Sequence, residues 1–365
     1  MKIACFTDIH NQQCMLNMPT TLRSSAIAAA DGVLAEWGVC DLAINGGDNI
    51  SDYPYWNRSC ALPYENWLDI KKKIVDNFAR VAKDERVFYV GGNNDPILGD
   101  LPTKDNPPYN TCDFYHTGPM KETLGELSKD EYFGGFCKSK ITEEYLLAFH
   151  YVIDGVDFFG LQMDPDQAFN NHDCYYNLES IAWMKQKLQK LDPDGNKLIF
   201  VVGHINTASR LTDLRIGYPH GDWVDALHDA FKGHRNLFFL YGHVHGRDYL
   251  HNDSWQGVLH FGDDYAIVSP DGPLPAADRD KVSFSSVHMG GLRPFGGDFE
   301  KDGMTGTVPG SPEPKYYPAT GTPTMAQYLV IETDADSVTF TYRNTGSAEG
   351  YSVNDRPAPY TVKLV

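Results

Sequence analysis

Five short clusters of Asp, Asn and His punctuate the first two thirds of this sequence. They are Thr7-Asp8-Ile9-His10, Asn45-Gly46-Gly47-Asp48-Asn49, Gly91-Gly92-Asn93-Asn94-Asp95, Gly203-His204-Ile205-Asn206 and Gly242-His243-Val244-His245-Gly246. Imidazole, carboxylate and amide oxygen together form a donor set for Mn, Fe, Zn or related ions, and suit Ca or Mg less well. Bound ions of that kind activate water and polarise ester oxygens. One Asp-x-His tripeptide means little, because such tripeptides arise by chance. Five clusters in one shared local context mean more.

That context is a strand end. Each cluster follows an apolar run: Lys2–Phe6, Asp41–Ile44, Arg86–Val90, Leu198–Val202 and Leu237–Tyr241. Runs of this length, rich in Val, Ile, Phe and Tyr, read as buried strands. Between them, Thr21–Trp37 has an alanine-rich face, and Tyr64–Lys83 and Leu178–Leu191 carry apolar residues at helical spacing. Strand–helix alternation predicts an α/β architecture with a largely parallel inner sheet. In such sheets ligands bind at the carboxyl ends of the strands, where all five clusters fall. The period of two along a strand predicts that Asp8 and His10 point the same way, and likewise His243 and His245. Glycines beside the clusters permit tight turns and close backbone approach.

In this order the clusters resemble those of the calcineurin-like metallophosphoesterase superfamily, DxH, GDxx, GNH(D/E), GH and GHxH, from Asp8 to His245. The resemblance implies a double β-sandwich flanked by helices. It implies one metal held by Asp8, His10 and His245, a second held by Asn93, His204 and His243, and Asp48 bridging the two. The cofactors implied are two divalent or mixed-valence transition metal ions, Mn, Fe or Zn. Such a pair, about 3.5–4 Å apart, brings the pKa of bound water to about 7 and clamps the phosphoryl oxygens. A metal-bridging hydroxide then attacks a phosphate mono- or diester in line, with no covalent enzyme intermediate. One departure stands out. Asn94 occupies the place of the family's histidine, which protonates or steadies the leaving oxygen. An amide donates a hydrogen bond but no proton, and a missing general acid costs about 10²–10⁴-fold on poor leaving groups. Either the substrates have good leaving groups, diesters or anhydrides among them, or a loop histidine supplies the proton. His172 and His220, in polar or turn-rich stretches, are the candidates, against a plain surface role for each.

The rest of the chain sets limits. Its 365 residues, 42% hydrophobic and 22% charged, describe a folded protein rather than a disordered one. No apolar run approaches the ~20 residues of a membrane span. The start, MKIACFTDIH, lacks a signal layout, which predicts a cytoplasmic protein or one whose export signal has been removed. Seven scattered cysteines without a CxxC pair read as reduced thiols. A net charge of −18 disfavours nucleic acid as a partner, and with it a nuclease of the same superfamily. The competing class is a non-catalytic interaction module on the same fold, which would not need seven ligands. The chain reads as one domain with loop-rich insertions at about 101–139 and 269–324 and a C-terminal hairpin at about 327–343. His150, His228, His234, His251 and His260 read as structural, whereas His288, in the late loop-rich segment, has no assigned role.

Overall fold

The computed structural model describes residues 1–11, 22–49, 64–92, 123–136, 144–163, 176–205, 222–243, 258–259, 267–268, 284–292, 326–345 and 358–365. Within them the chain forms β1 (Lys2–Phe6), α1 (Ser24–Trp37), β2 (Leu42–Asn45), α2 (Tyr64–Ala79) and β3 (Val87–Tyr89). Then follow β4 (Tyr132–Phe136), β5 (Glu144–Ile153), β6 (Val156–Leu161), α3 (Leu178–Leu191), β7 (Ile199–Val202), α4 (Asp222–Phe231) and β8 (Leu237–Tyr241). The last part adds β9 (Val258–Leu259), β10 (Ile267–Val268), β11 (Ser285–His288), β12 (Gly290–Gly291), β13 (Gln327–Thr333), β14 (Ser337–Asn344) and β15 (Tyr360–Lys363).

The strands make two mixed sheets. The first runs β15-β14-β13-β1-β2-β3, with β12 also on β13; the second runs β10-β9-β11-β8-β7-β6-β5-β4. Each has a parallel centre, β1-β2-β3 in one and β6-β7-β8-β11 in the other. Those central strands are buried on both faces, which is why they read as unbroken apolar runs. In β7 and β8, Ile199, Val201, Leu237, Phe239 and Tyr241 face α3 and α4, while Phe200, Val202, Phe238 and Leu240 face the other sheet. Ala26, Ala29 and Val33 of α1 and Ile74 and Phe78 of α2 cover the outer face of the first sheet. Phe6 stacks on Phe78 there, with ring centroids 4.4 Å apart. The result is the expected double β-sandwich with helices outside. Among the described residues no helix is long and apolar enough to cross a membrane.

Three expectations need correction. Tyr132–Phe136 lies in a segment that Gly134-Gly135 makes look like loop, yet it is a strand. It pairs antiparallel with β5 at the sheet edge and absorbs the glycines in a register shift at Phe133/Gly134. Ser285–His288 and Gly290–Gly291 lie in the other segment read as loop, and they too are strands. Their form comes from partners, β8 for the first and β13 for the second. The chain therefore changes sheets at Met289, where Gly290 takes φ +88°. The helix read at Thr21 begins at Ser24, and the one read to Lys83 ends at Ala79.

A layer of aromatic rings fills the space between the sheets. Phe88 contacts Phe158 (5.9 Å between centroids), Phe158 contacts Phe200 (5.4 Å), Phe200 contacts Phe238 (6.0 Å) and Phe238 contacts Phe340 (5.3 Å). Phe88 and Phe340 belong to one sheet and the other three to its partner. Phe200→Ala removes the middle of this layer and is expected to cost about 3–5 kcal/mol of stability. The measurement is the shift of the urea unfolding midpoint; a shift within error would mean the layer does not hold the sheets together.

Candidate metal centre

The backbone ladder of β1 and β2 continues past the strands into the clusters. Gly46 N–H donates to the Phe6 carbonyl (2.8 Å), Asp8 N–H to Gly47 (2.9 Å), His10 N–H to Asp48 (2.8 Å) and Asn11 N–H to Asn49 (2.9 Å). The two loops are thus laced together. Their conformation is not that of a strand: φ is +52° at Asp8, +44° at His10, +52° at Asp48 and +71° at His243. The period-two argument for Asp8 and His10 was therefore the wrong reason for their convergence. Left-handed turns, each costing of order 1–3 kcal/mol for such a residue, aim these side chains. Two glycines make room: a Cβ on Gly92 would strike the Asp48 carboxylate, and one on Gly242 would strike the Thr7 hydroxyl and Asp8.

Five of the predicted ligands come together. Asp48 Oδ2 lies 3.3 Å from His10 Nε2, and Asp48 Oδ1 lies 3.3 Å from His204 Nε2. Asp8 Oδ1 is 3.8 Å from His10 Nε2 and 4.0 Å from His204 Nε2. The His204 and His243 rings are 5.5 Å apart. Two groups able to hold a metal ion result, Asp8/His10/Asp48 and Asp48/His204/His243, with the ligand atoms of each within 4.8 Å of one another. Asp48 belongs to both.

The surrounding hydrogen bonds fix these groups. The Thr7 hydroxyl donates to Asp8 Oδ2 (3.0 Å), and the His243 backbone N–H reaches Oδ1 (3.1 Å) and Oδ2 (3.0 Å) from the opposite sheet. His204 Nδ1 sits 2.7 Å from the Gly46 carbonyl. A carbonyl only accepts, so Nδ1 carries the proton and Nε2 is left facing the carboxylates. The Tyr176 hydroxyl accepts from the His204 and Ile205 backbone N–H groups, both at 2.8 Å.

The electrostatics favour a cation. Asp8 and Asp48 are both 0% exposed, and buried carboxylates are costly unless compensated. Burial works to lower the His204 pKa, but the charge and hydrogen bond of Asp48, then Asp8 and the Gly46 carbonyl, lift it to about 9. Burial, and then His204, push His243 down to about 4 against the pull of Asp48 and Asp8. One proton thus settles on His204, where it offsets the buried carboxylates. Buried carboxylate oxygens and imidazole nitrogens are donors that a transition metal ion accepts, so the residues present fit such an ion.

Asn93, Asn94, His172, His220 and His245 lie outside the described residues. His150 and His234 have structural partners, Asp157 and Asp192, each at 2.7 Å, and His228 packs on the Phe284 ring. Thr7 and Tyr176, and the Gly46 carbonyl as a partner of His204, were not singled out from sequence. Thr7 and Gly46 adjoin predicted ligands, which was the available signal; Tyr176 offered none, being distant in sequence.

Fold and site together define an α/β sandwich with Asp and His groups gathered at the rim between its sheets. The family model for calcineurin-like phosphoesterases matches residues 1–247, and the chain belongs to that family. No curated protein gives a match. Among solved structures, the chain is similar to a dimetal phosphatase from Danio rerio, with 10% identity, TM-score 0.47, and 100% of this chain and 99% of that one covered. It is also similar to a single mutant of Vps29 from Entamoeba histolytica (10% identity, TM-score 0.32, 100% of both chains). A third is a hypothetical protein from Thermus thermophilus (13% identity, TM-score 0.35, 100% of both chains). Membership in the family rests on the family model.

Gly92→Ala tests the cradle. The added methyl meets both the Asp48 carboxylate and the Asp48 backbone nitrogen, so a turn of the side chain alone does not relieve it. It is expected to destabilise the protein by about 1–3 kcal/mol, read from urea unfolding. A neutral result would show that the loops adjust freely.

Proposed function

We propose that the chain is a metal-dependent phosphoesterase that hydrolyses phosphate mono- or diesters with water activated between two transition metal ions. The observation that carries this reading is Asp48. Its two carboxylate oxygens face two different histidines, His10 and His204, each at 3.3 Å, as a carboxylate shared between two ions would. Asp8 and His10 would then hold one ion, with His245 added from the family pattern. His204 and His243 would hold the other, with Asn93. Two such ions would supply a water of lowered pKa and charge to clamp the phosphoryl oxygens.

The chain's own residues do the orienting. Gly46 holds the Nδ1 proton of His204, so that Nε2 is the nitrogen a metal would take, and Thr7 with the His243 amide holds Asp8 in place. These partners fix ligand orientation, which tunes both affinity and reactivity. Asn94 supplies no proton to a leaving oxygen, so esters with good leaving groups are the favoured substrates. The scattered thiols, of which Cys5 and Cys40 are buried and free, accord with a cytoplasmic setting.

Asp48→Ala is expected to lose bound metal and to reduce turnover of aryl phosphates to background, measured by metal analysis and by rate across a series of graded leaving-group pKa. In the parent protein the rate should fall steeply along that series. Full turnover in Asp48→Ala would end the hydrolase proposal, and a flat series would end the Asn94 argument alone.

A second outcome concerns protons. In metal-free protein His204 is charged below about pH 9, and a metal takes only the neutral ring. Adding Mn²⁺ or Zn²⁺ at pH 7.5 should release a proton from His204 in addition to any from metal-bound water, with this extra proton fading as the pH rises through 9. His243, already neutral there, contributes none. Metal uptake at pH 7.5 without proton release would remove His204 from the ligand set.

A further inference from the structure

His288 ends β11 at the corner where the chain leaves one sheet for the other, on the rim that carries the candidate metal centre. It is 0% exposed. Gly290 N–H donates to its Nδ1 at 3.3 Å, which gives that nitrogen the lone pair and puts the ring proton on Nε2. The ring lies beside Tyr241, 5.2 Å between centroids. The carbonyl of His288 accepts from the Tyr342 hydroxyl of the facing sheet at 2.6 Å. Residue and ring are therefore fixed from several sides.

Nε2 has no hydrogen-bond partner among the described residues. That separates His288 from the structural histidines His150 and His234, each bonded to a carboxylate. A buried donor left open in a native protein requires an explanation. The strand pairing sets His288 opposite Tyr241, two residues before His243. Burial above all lowers the His288 pKa to about 4, in keeping with an Nδ1 whose lone pair the Gly290 N–H already occupies. The ring is neutral near pH 7. It is thus a fixed hydrogen-bond donor and not a source of protons.

We propose that His288 is a substrate-binding residue of this centre, its Nε2–H donating to an oxygen of the phosphoryl group. The proposal rests on the phosphoesterase reading above and adds to it a protein donor beyond the ligand motifs. A preorganised donor there would stabilise charge building on that oxygen and, being uncharged, would not repel a bound cation. Ser286, one pleat back on the same strand, is also 0% exposed with an unpartnered Oγ. A water shared by Ser286 and His288 is the competing occupant.

The test uses the metal-loaded protein with H288L and H288Q. Expected for H288L are unchanged bound metal, a kcat for aryl phosphate lower by about 10²-fold, and weaker binding of inorganic phosphate by calorimetry. H288Q, whose amide donates, should recover part of both. In ¹⁵N-histidine-labelled wild-type protein, inorganic phosphate should shift the His288 Nε2 resonance, an arm that needs no variant to fold. Wild-type kcat and phosphate affinity in H288L overturn the proposal and leave the shared water. So does loss of bound metal along with activity, which would make His288 part of the metal-holding scaffold. An unmoved resonance does the same. Wild-type protein that binds metal and phosphate yet hydrolyses no ester would instead sink the hydrolase reading, and the phosphate arms would still decide on His288.

Discussion

Two carboxylates, Asp8 and Asp48, are removed from water where the two sheets meet, and much of the surrounding structure answers that burial. Charges in such a place persist only with hydrogen bonds and opposite charge around them. The hydrogen bonds come from Thr7 and from the His243 backbone. The opposite charge comes from a proton that Asp48 and Asp8 hold on His204. A doubly charged ion compensates two carboxylates better than one proton does, and Asp48 belongs to both groups that could hold one.

Backbone strain accompanies that burial, though turns at Asp84, Glu85 and Asp154 also carry positive φ. Four of the candidate ligands, Asp8, His10, Asp48 and His243, have positive φ, which side chains other than glycine adopt at a cost. That cost persists only where packing over-determines the backbone. Here the packing is the extended β1–β2 ladder beneath the loops and the glycines that let Asp48 and Asp8 approach neighbouring backbone. The rings of Phe88, Phe158, Phe200, Phe238 and Phe340 set how closely the sheets stack, and so how near His204 comes to Asp48. The corner at Met289 adds a covalent crossing between the sheets, and Leu292 N–H donates to the Thr7 carbonyl at 2.9 Å. The chemistry at the rim therefore depends on core packing some distance beneath it.

Much of this was legible in the amino-acid sequence. The central strands were, because burial on both faces writes itself as an unbroken apolar run, and Lys2–Phe6 and Leu237–Tyr241 have the bounds read for them. The Leu178–Leu191 helix was too, since its periodicity is local and Asn177 caps its start. The identity of the candidate ligands followed from residue type and from their place after those strands. What the sequence could not settle depends on partners distant along the chain. Tyr132–Phe136, interrupted by Gly134-Gly135, and Ser285–His288 are strands because β5 and β8 pair with them. The direction of Asp8 and His10 comes from left-handed turns locked by bonds to Gly47 and Asp48. The sharing of Asp48 between His10 and His204, and the open Nε2–H of His288, exist only once two sheets are stacked. Local sequence encodes which segments must be buried; the distance between side chains on different sheets is set by how those buried faces pack.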